Sequence, residues 1–150
     1  MKRKHLSGKS IGIVFGTFAP MHVGHVDLIT KEKRANDNVL VIVSGSNTQK
    51  DRGTRTGLSL NRRFRNVREV FYDDELIVVD KLDEADMPPY PEGWVPWVNC
   101  VKDLITKNTD GPEKIYLLCW RVRVRDRAQS LLPSSSGRTH RAFCYQYLCY

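Results

Sequence analysis

The segment Gly16-Thr17-Phe18-Ala19-Pro20-Met21-His22-Val23-Gly24-His25 joins two patterns of opposite kind. Before it, residues 11–15 are apolar but for one glycine and read as a buried strand; after it, residues 26–35 read as a helix. The first amides of such a helix have no intrahelical partners, and they lie at the positive end of its dipole. A strand that ends in glycine and delivers two imidazoles, three residues apart, to a helix start therefore makes an anion site. Gly16 and Gly24 suit a close backbone approach to that anion.

Working outward, the alternation continues. Residues 39–43, Val-Leu-Val-Ile-Val, form a second strand without a polar side chain, which completes a βαβ unit with an expected right-handed crossover. Residues 44–57 are all polar or glycine, too long for a simple connection, and read as a mobile functional loop. Ser59 caps a helix running to about position 72, with Leu60, Phe64, Val67, Val70 and Phe71 inward and Arg62, Arg63, Arg65 and Arg68 outward. Residues 76–79 give a third strand. Pro88, Pro89, Pro91 and Pro96 delay the next helix to residues 97–107, with Val98, Val101, Leu104 and Ile105 inward, and residues 115–118 begin a fourth strand. This rhythm predicts an α/β fold, a Rossmann-like open parallel sheet. Ligands of such sheets gather at the carboxyl ends of the strands, so Gly16, residues 44–57 and residues 90–97 are expected to converge.

The chain of 150 residues suits one unit with a real core. Residues 1–10 are polar and basic and read as a disordered terminus, residues 11–118 as the α/β domain, and residues 119–150 as an atypical basic and aromatic tail. The opening Met-Lys-Arg-Lys starts like a secretory signal, but its apolar run breaks at Gly16 without a small-residue cleavage site, and nothing approaches a membrane span. Gly8-Lys9-Ser10 has the ending of a P-loop, yet Arg3 stands where its first glycine belongs and the triplet precedes a strand. Cys100, Cys119, Cys144 and Cys149 form no Cys-x-x-Cys pair, which makes a reducing cytoplasm the expected location. The formal charge of +7 is unevenly placed: beyond position 120 six Arg stand against one Asp, and the rest of the chain balances to +2. No membrane or nucleic-acid partner is expected for the domain, and self-association into a homo-oligomer is compatible with it.

Three readings of His22 and His25 stand at this point. They could be metal ligands, although no third ligand of matching spacing is evident and His5 and His140 are isolated. They could be packed structural histidines, or they could bind phosphate at the helix start.

Gly-x-Phe-x-Pro-x-His-x-Gly-His directly after a first strand resembles the signature of the HxGH nucleotidyltransferases, which transfer a nucleoside monophosphate from ATP or CTP to a phosphorylated acceptor. The wording of residues 11–25, with Gly57-Leu-Ser-Leu-Asn-Arg-Arg-Phe-Arg65, Arg68-Glu-Val-Phe71 and Tyr90-Pro-Glu-Gly-Trp-Val-Pro-Trp-Val-Asn99, is similar to the nicotinamide-mononucleotide (NMN) adenylyltransferase domain of NadR-type proteins. The resemblance covers about residues 10–118.

It implies that His22 and His25 are catalytic and bind the ATP phosphates, His25 stabilising charge as pyrophosphate leaves. Gly16, Thr17 and Phe18 would line the nucleotide, Gly24 would let the helix start come close, and Arg63 of a Leu-x-x-Arg motif would be a phosphate ligand. Trp94 and Trp97 would stack on the nicotinamide ring of NMN, a flat cation; the alternative for either, and more so for Trp97, is a place in the core. Mg²⁺ would bridge phosphates of ATP, with no protein metal ligand identified. Within the family, phosphopantetheine or a phosphorylated polyol is the alternative acceptor. Outside it, the alternative is a basic nucleic-acid-binding module using the Arg-rich tail.

The resemblance also implies a fifth strand and a late Ser/Thr-rich motif with Arg that closes on the ATP phosphates. Residues 119–150 do not match it; residues 134–138 have the composition without a flanking strand or helix. The tail reads as the product of a frameshift near residues 117–119, because codons compatible with residues 119–128 spell Val-Gly-Glu-Tyr-Glu-Tyr-Glu-Ile-Glu in the next frame. Impaired activity is the corresponding expectation. The helix-turn-helix and kinase that NadR-type proteins can carry are not expected, since ten residues precede the first strand and no P-loop follows position 118.

Overall fold

The computed structural model describes residues 4–89 and 91–119. The readings that fall on Tyr90 and on residues 120–150, the frameshift included, lie outside the described residues. The elements are β1 (Ser10–Gly16), α1 (Val23–Ala35), β2 (Asn38–Gly45), α2 (Arg52–Arg55), α3 (Leu60–Val70), β3 (Ile77–Asp83), α4 (Trp94–Asn108) and β4 (Lys114–Cys119). The four strands are parallel in the order β3-β2-β1-β4.

Every residue of β2 is buried, which accounts for its unbroken apolar core segment. The two-residue period of a strand sorts its side chains between two layers. Val39, Val41 and Val43 pack with Val14, Ile29, Leu60, Val67 and Phe71 of β1, α1 and the α3 region. Leu40 and Ile42 pack with Ile11, Ile13, Leu82, Trp97, Val101 and Leu117, under α4. Helices thus cover both faces. The chain reverses its direction of progress across the sheet between β1 and β4, and this switch opens a crevice beyond the carboxyl end of β1.

Several expectations are corrected. The segment before β1 is docked at Leu6, which is 1% exposed, donates its amide to Asn108 O at 2.8 Å and accepts at its carbonyl from Asp110 N at 3.1 Å, while His5, Ser7 and Lys9 stay exposed. Lys4 Nζ ties the same segment to the carbonyls of Tyr72 and Asp74 after α3, at 2.6 and 2.9 Å. An apolar side chain with a sheet-end slot to fill thus anchors a segment whose composition reads as frayed.

α1 begins at Val23 and α4 at Trp94, each three residues earlier than its pattern suggests. Pro96 is the third residue of α4, where an amide has no intrahelical partner to lose. In α3 the buried stripe is Leu60, Arg63 and Val67, continued by Phe71, whereas Val70 is 56% exposed. Residues 44–57 hold the turn of helix α2 and are cross-braced by hydrogen bonds. No helix among the described residues is long and apolar enough to cross a membrane.

Candidate active site

His22 is the N-cap of α1 in extended conformation, and its Nδ1 accepts the Gly24 amide at 3.1 Å. His25 Nδ1 accepts the His22 amide at 3.1 Å, so the two imidazoles close a reciprocal capping box. Their ring centroids lie 3.9 Å apart; His25 is buried and His22 exposed. A ring nitrogen that accepts carries no proton, so the neutral form of each ring holds its proton on Nε2. The cap therefore sets the tautomer and makes Nε2 a donor. Phe18, 2% exposed, packs on His25 at 4.7 Å and holds φ at +49°, a left-handed conformation unusual for its type. The structural role of the two histidines, closing the cap, thus uses Nδ1 of each ring.

Arg63 is not on the outer face of α3. It is 1% exposed, and its guanidinium donates to Leu58 O at 2.9 Å, Thr17 O at 2.8 Å, Ser44 O at 3.3 Å and Asp51 Oδ1 at 2.9 Å. It joins the loop after β1, the end of β2 and the segment before α3. Asp51 caps α2 through Thr54 N and also accepts Ser46 N. Burial pushes its carboxyl upward, but the amides of Thr54 and Ser46 and the Arg63 cation outweigh that and hold it below the usual aspartate range. Space here is tight: a Cβ on Gly45, whose φ is +146°, would stand 2.4 Å from Asp51 Oδ2, and one on Gly53 would stand 3.1 Å from Arg63. Only glycine fits at position 45 on both counts.

The aromatic candidates separate. Trp97 is 3% exposed, meets Phe15 edge-on at 5.3 Å, and donates its indole N–H to Glu84 Oε1 at 3.0 Å. Trp94 is half-buried and stacks on Trp97 with centroids 5.7 Å apart and planes 13° from parallel. Trp97 is thus the underlayer and Trp94 the outer ring. Glu84 follows β3, and its amide donates to Gly45 O at 2.7 Å. Burial pushes the Glu84 carboxyl up; the Trp97 hydrogen bond opposes this and the nearby Asp51 charge adds to it.

The structure therefore brings Gly16, Thr17, Phe18, His22, Gly24 and His25 together with Arg63 and Asp51, and connects β1 to Trp97 through Phe15. Asp51 and Glu84 escape sequence reasoning. Asp51 lies in a polar loop and Glu84 in the acidic run Asp83-Glu84-Ala85-Asp86, and neither follows a period or a motif. A cavity of about 540 Å³ lined by Phe64, Phe71, Ile77, Asp80 and Asn108 flanks β3 and shares none of these with the histidine cluster. Among the described residues, no three His, Cys, Asp or Glu side chains are grouped to hold a metal ion.

Residues 13–118 match the family described as cytidylyltransferase-like. Over 114 residues the chain is 32% identical to the trifunctional NAD biosynthesis/regulator protein NadR of Salmonella typhimurium, an alignment that covers 72% of this chain and 28% of that protein. A crystal structure of NadR protein in complex with NR matches with TM-score 0.72 at 46% identity, over 77% of this chain and 31% of that one. A NadR structure in complex with NAD and AMP-PNP matches with TM-score 0.69 at 47% identity, over 75% of this chain and 32% of that one. The chain spans about a third of the length of these relatives.

Proposed function

The chain belongs to the cytidylyltransferase-like family of HxGH nucleotidyltransferases, and from that premise we propose that it is a nicotinamide-nucleotide adenylyltransferase. It joins AMP from ATP to NMN, giving NAD and pyrophosphate, in a cytoplasmic step of NAD formation. The observation that carries this reading is the reciprocal cap of His22 and His25, which turns two Nε2 donors into fixtures of a helix start at the switch point of the sheet. Similarity to NadR proteins whose structures hold NR, NAD and AMP-PNP supports the choice of nucleotide and acceptor.

In the proposed reaction a phosphate oxygen of NMN forms a bond to the α-phosphorus of ATP. The bond from that phosphorus to the bridging oxygen breaks, and pyrophosphate leaves with the electron pair. The NMN phosphate is already ionised, so no general base is required. His22 and His25 place N–H donors where negative charge gathers, and no reorganisation is needed as it does. The backbone of Gly16, Thr17, Phe18 and Gly24 lines the nucleotide. Arg63 serves from behind as a positioning residue, because its bond to Thr17 O fixes the loop that the nucleotide meets. Trp94 offers its ring to the nicotinamide, with Trp97 beneath it. Mg²⁺ would arrive with ATP and would neutralise charge on its phosphates; among the described residues no three His, Cys, Asp or Glu side chains are grouped to hold it.

The test is direct. The 150-residue chain is incubated with ATP, Mg²⁺ and NMN, and NAD and pyrophosphate are measured. Equal yields of both are expected. AMP transfer only to phosphopantetheine or a phosphorylated polyol would replace the acceptor. Transfer to none of these, both by this chain and by a version with the reading frame restored beyond residue 118, would remove the reading.

A further inference from the structure

Glu84 belongs to none of the motifs that carry the family resemblance, yet it stands at the same sheet end as the histidine pair. Its amide is fixed to Gly45 O at 2.7 Å and its carboxylate to the Trp97 indole at 3.0 Å. Among the described residues it makes no ion pair, since the neighbouring Arg63 is bonded to Asp51. Burial pushes its carboxyl above the usual glutamate range; the Trp97 hydrogen bond and the Arg63 charge oppose this, and the charges of Asp51 and Asp83 add to it. A half-buried carboxylate without a cation is costly to ionise, and a positive ligand offsets that cost.

The surroundings specify what kind of positive ligand fits. Trp97 donates to Glu84 and is stacked at 13° against the half-buried Trp94. A carboxylate on the indole N–H enriches the π-system that it faces, and a delocalised flat cation gains from both the ring face and the nearby charge. We propose that Glu84 is a specificity-determining residue of the acceptor subsite, favouring a pyridinium ring that bears a neutral carboxamide over the same ring bearing a carboxylate. The inference rests on the NMN adenylyltransferase reading and assigns to one residue the choice between NMN and nicotinate mononucleotide.

Binding of both nucleotides to the full chain is measured by calorimetry and by quenching of tryptophan fluorescence. The unaltered chain is expected to bind NMN at least about tenfold more tightly. Glu84→Gln keeps an acceptor for Trp97 and loses the charge. It is expected to weaken NMN about tenfold and leave nicotinate mononucleotide equal or tighter, so that the preference collapses. Glu84→Asp keeps the charge and is expected to keep the preference.

An unchanged ratio in Glu84→Gln, or a preference lost equally in Glu84→Asp, overturns the proposal. So does Glu84-dependent binding of Mg²⁺ alone in place of NMN. Equal affinity of the unaltered chain for both nucleotides overturns it while the adenylyltransferase reading stands. Binding of neither overturns both.

Discussion

Arg63 and Asp51 meet at 2.9 Å with side chains only 1% and 10% exposed, whereas the other ion pairs among the described residues lie nearer the surface. The pair does two things at once. It neutralises a cation that carries three carbonyl bonds, and it holds the segment after β2 against the loop that leads to His22.

Replacing Asp51 by Ala leaves a buried guanidinium without its counter-charge, and the expected loss is about 3–5 kcal/mol. Urea denaturation at neutral pH measures it. Asp110→Ala, which breaks an exposed contact with His5, serves as the control and should cost less than about 1 kcal/mol. Equal losses would mean that Arg63 does not depend on Asp51.

The two kinds of buried carboxyl predict opposite pH behaviour. Asp51 has a depressed folded value, so its contribution is complete above the usual aspartate value of 3.8 and is lost as pH falls through the lower folded one. Asp51→Asn should flatten that acid limb. Glu32 is raised by burial, which its Asn36 hydrogen bond only partly offsets. Its contribution is complete below the usual glutamate value of 4.5 and is lost as pH rises through the folded one. Glu32→Gln should therefore raise stability at pH 7 and leave it little changed at pH 4; a lower midpoint at pH 7 would contradict this assignment.

His22→Asn separates capping from chemistry. Asparagine is a strong N-cap, so the melting temperature should stay within a few degrees, while turnover falls because no Nε2 donor remains. His25→Ala should reduce kcat by about 10²-fold or more, with a smaller change in KM. Full turnover in either variant would remove that ring from the reaction.

Trp97→Ala removes a ring that is 3% exposed and should destabilise the fold by about 3–5 kcal/mol. Trp94→Ala should cost clearly less in denaturation yet weaken NMN binding several-fold. If the two variants reverse this order, the inner and outer assignments of the rings are wrong.

Much of the frame is legible because its signals are local. The unbroken apolar run of β2, the Ser59 cap of α3, whose side chain accepts Arg62 N at 3.2 Å, and the glycine-to-histidine junction each declare themselves within ten residues. The start of α4 is obscured by Pro96, since a proline is disruptive inside a helix and harmless in its first turn, and composition does not tell the two apart.

By itself the sequence determined an α/β chain with parallel strands, a helix start at Gly16–His25 that carries two imidazoles, and the family in which that motif occurs. Periodicity, capping and glycine placement act between near neighbours, so they survive in a linear string. Only the tertiary structure decided that Arg63 points inward, that Trp97 lies beneath Trp94, and that Asp51 and Glu84 matter. A buried charge or indole is tolerable only beside its partner, and those partners are remote: Thr17 O is 46 positions from Arg63, and Glu84 is 13 from Trp97. Such pairings are properties of the folded sheet end, where separated segments share one small, poorly hydrated space.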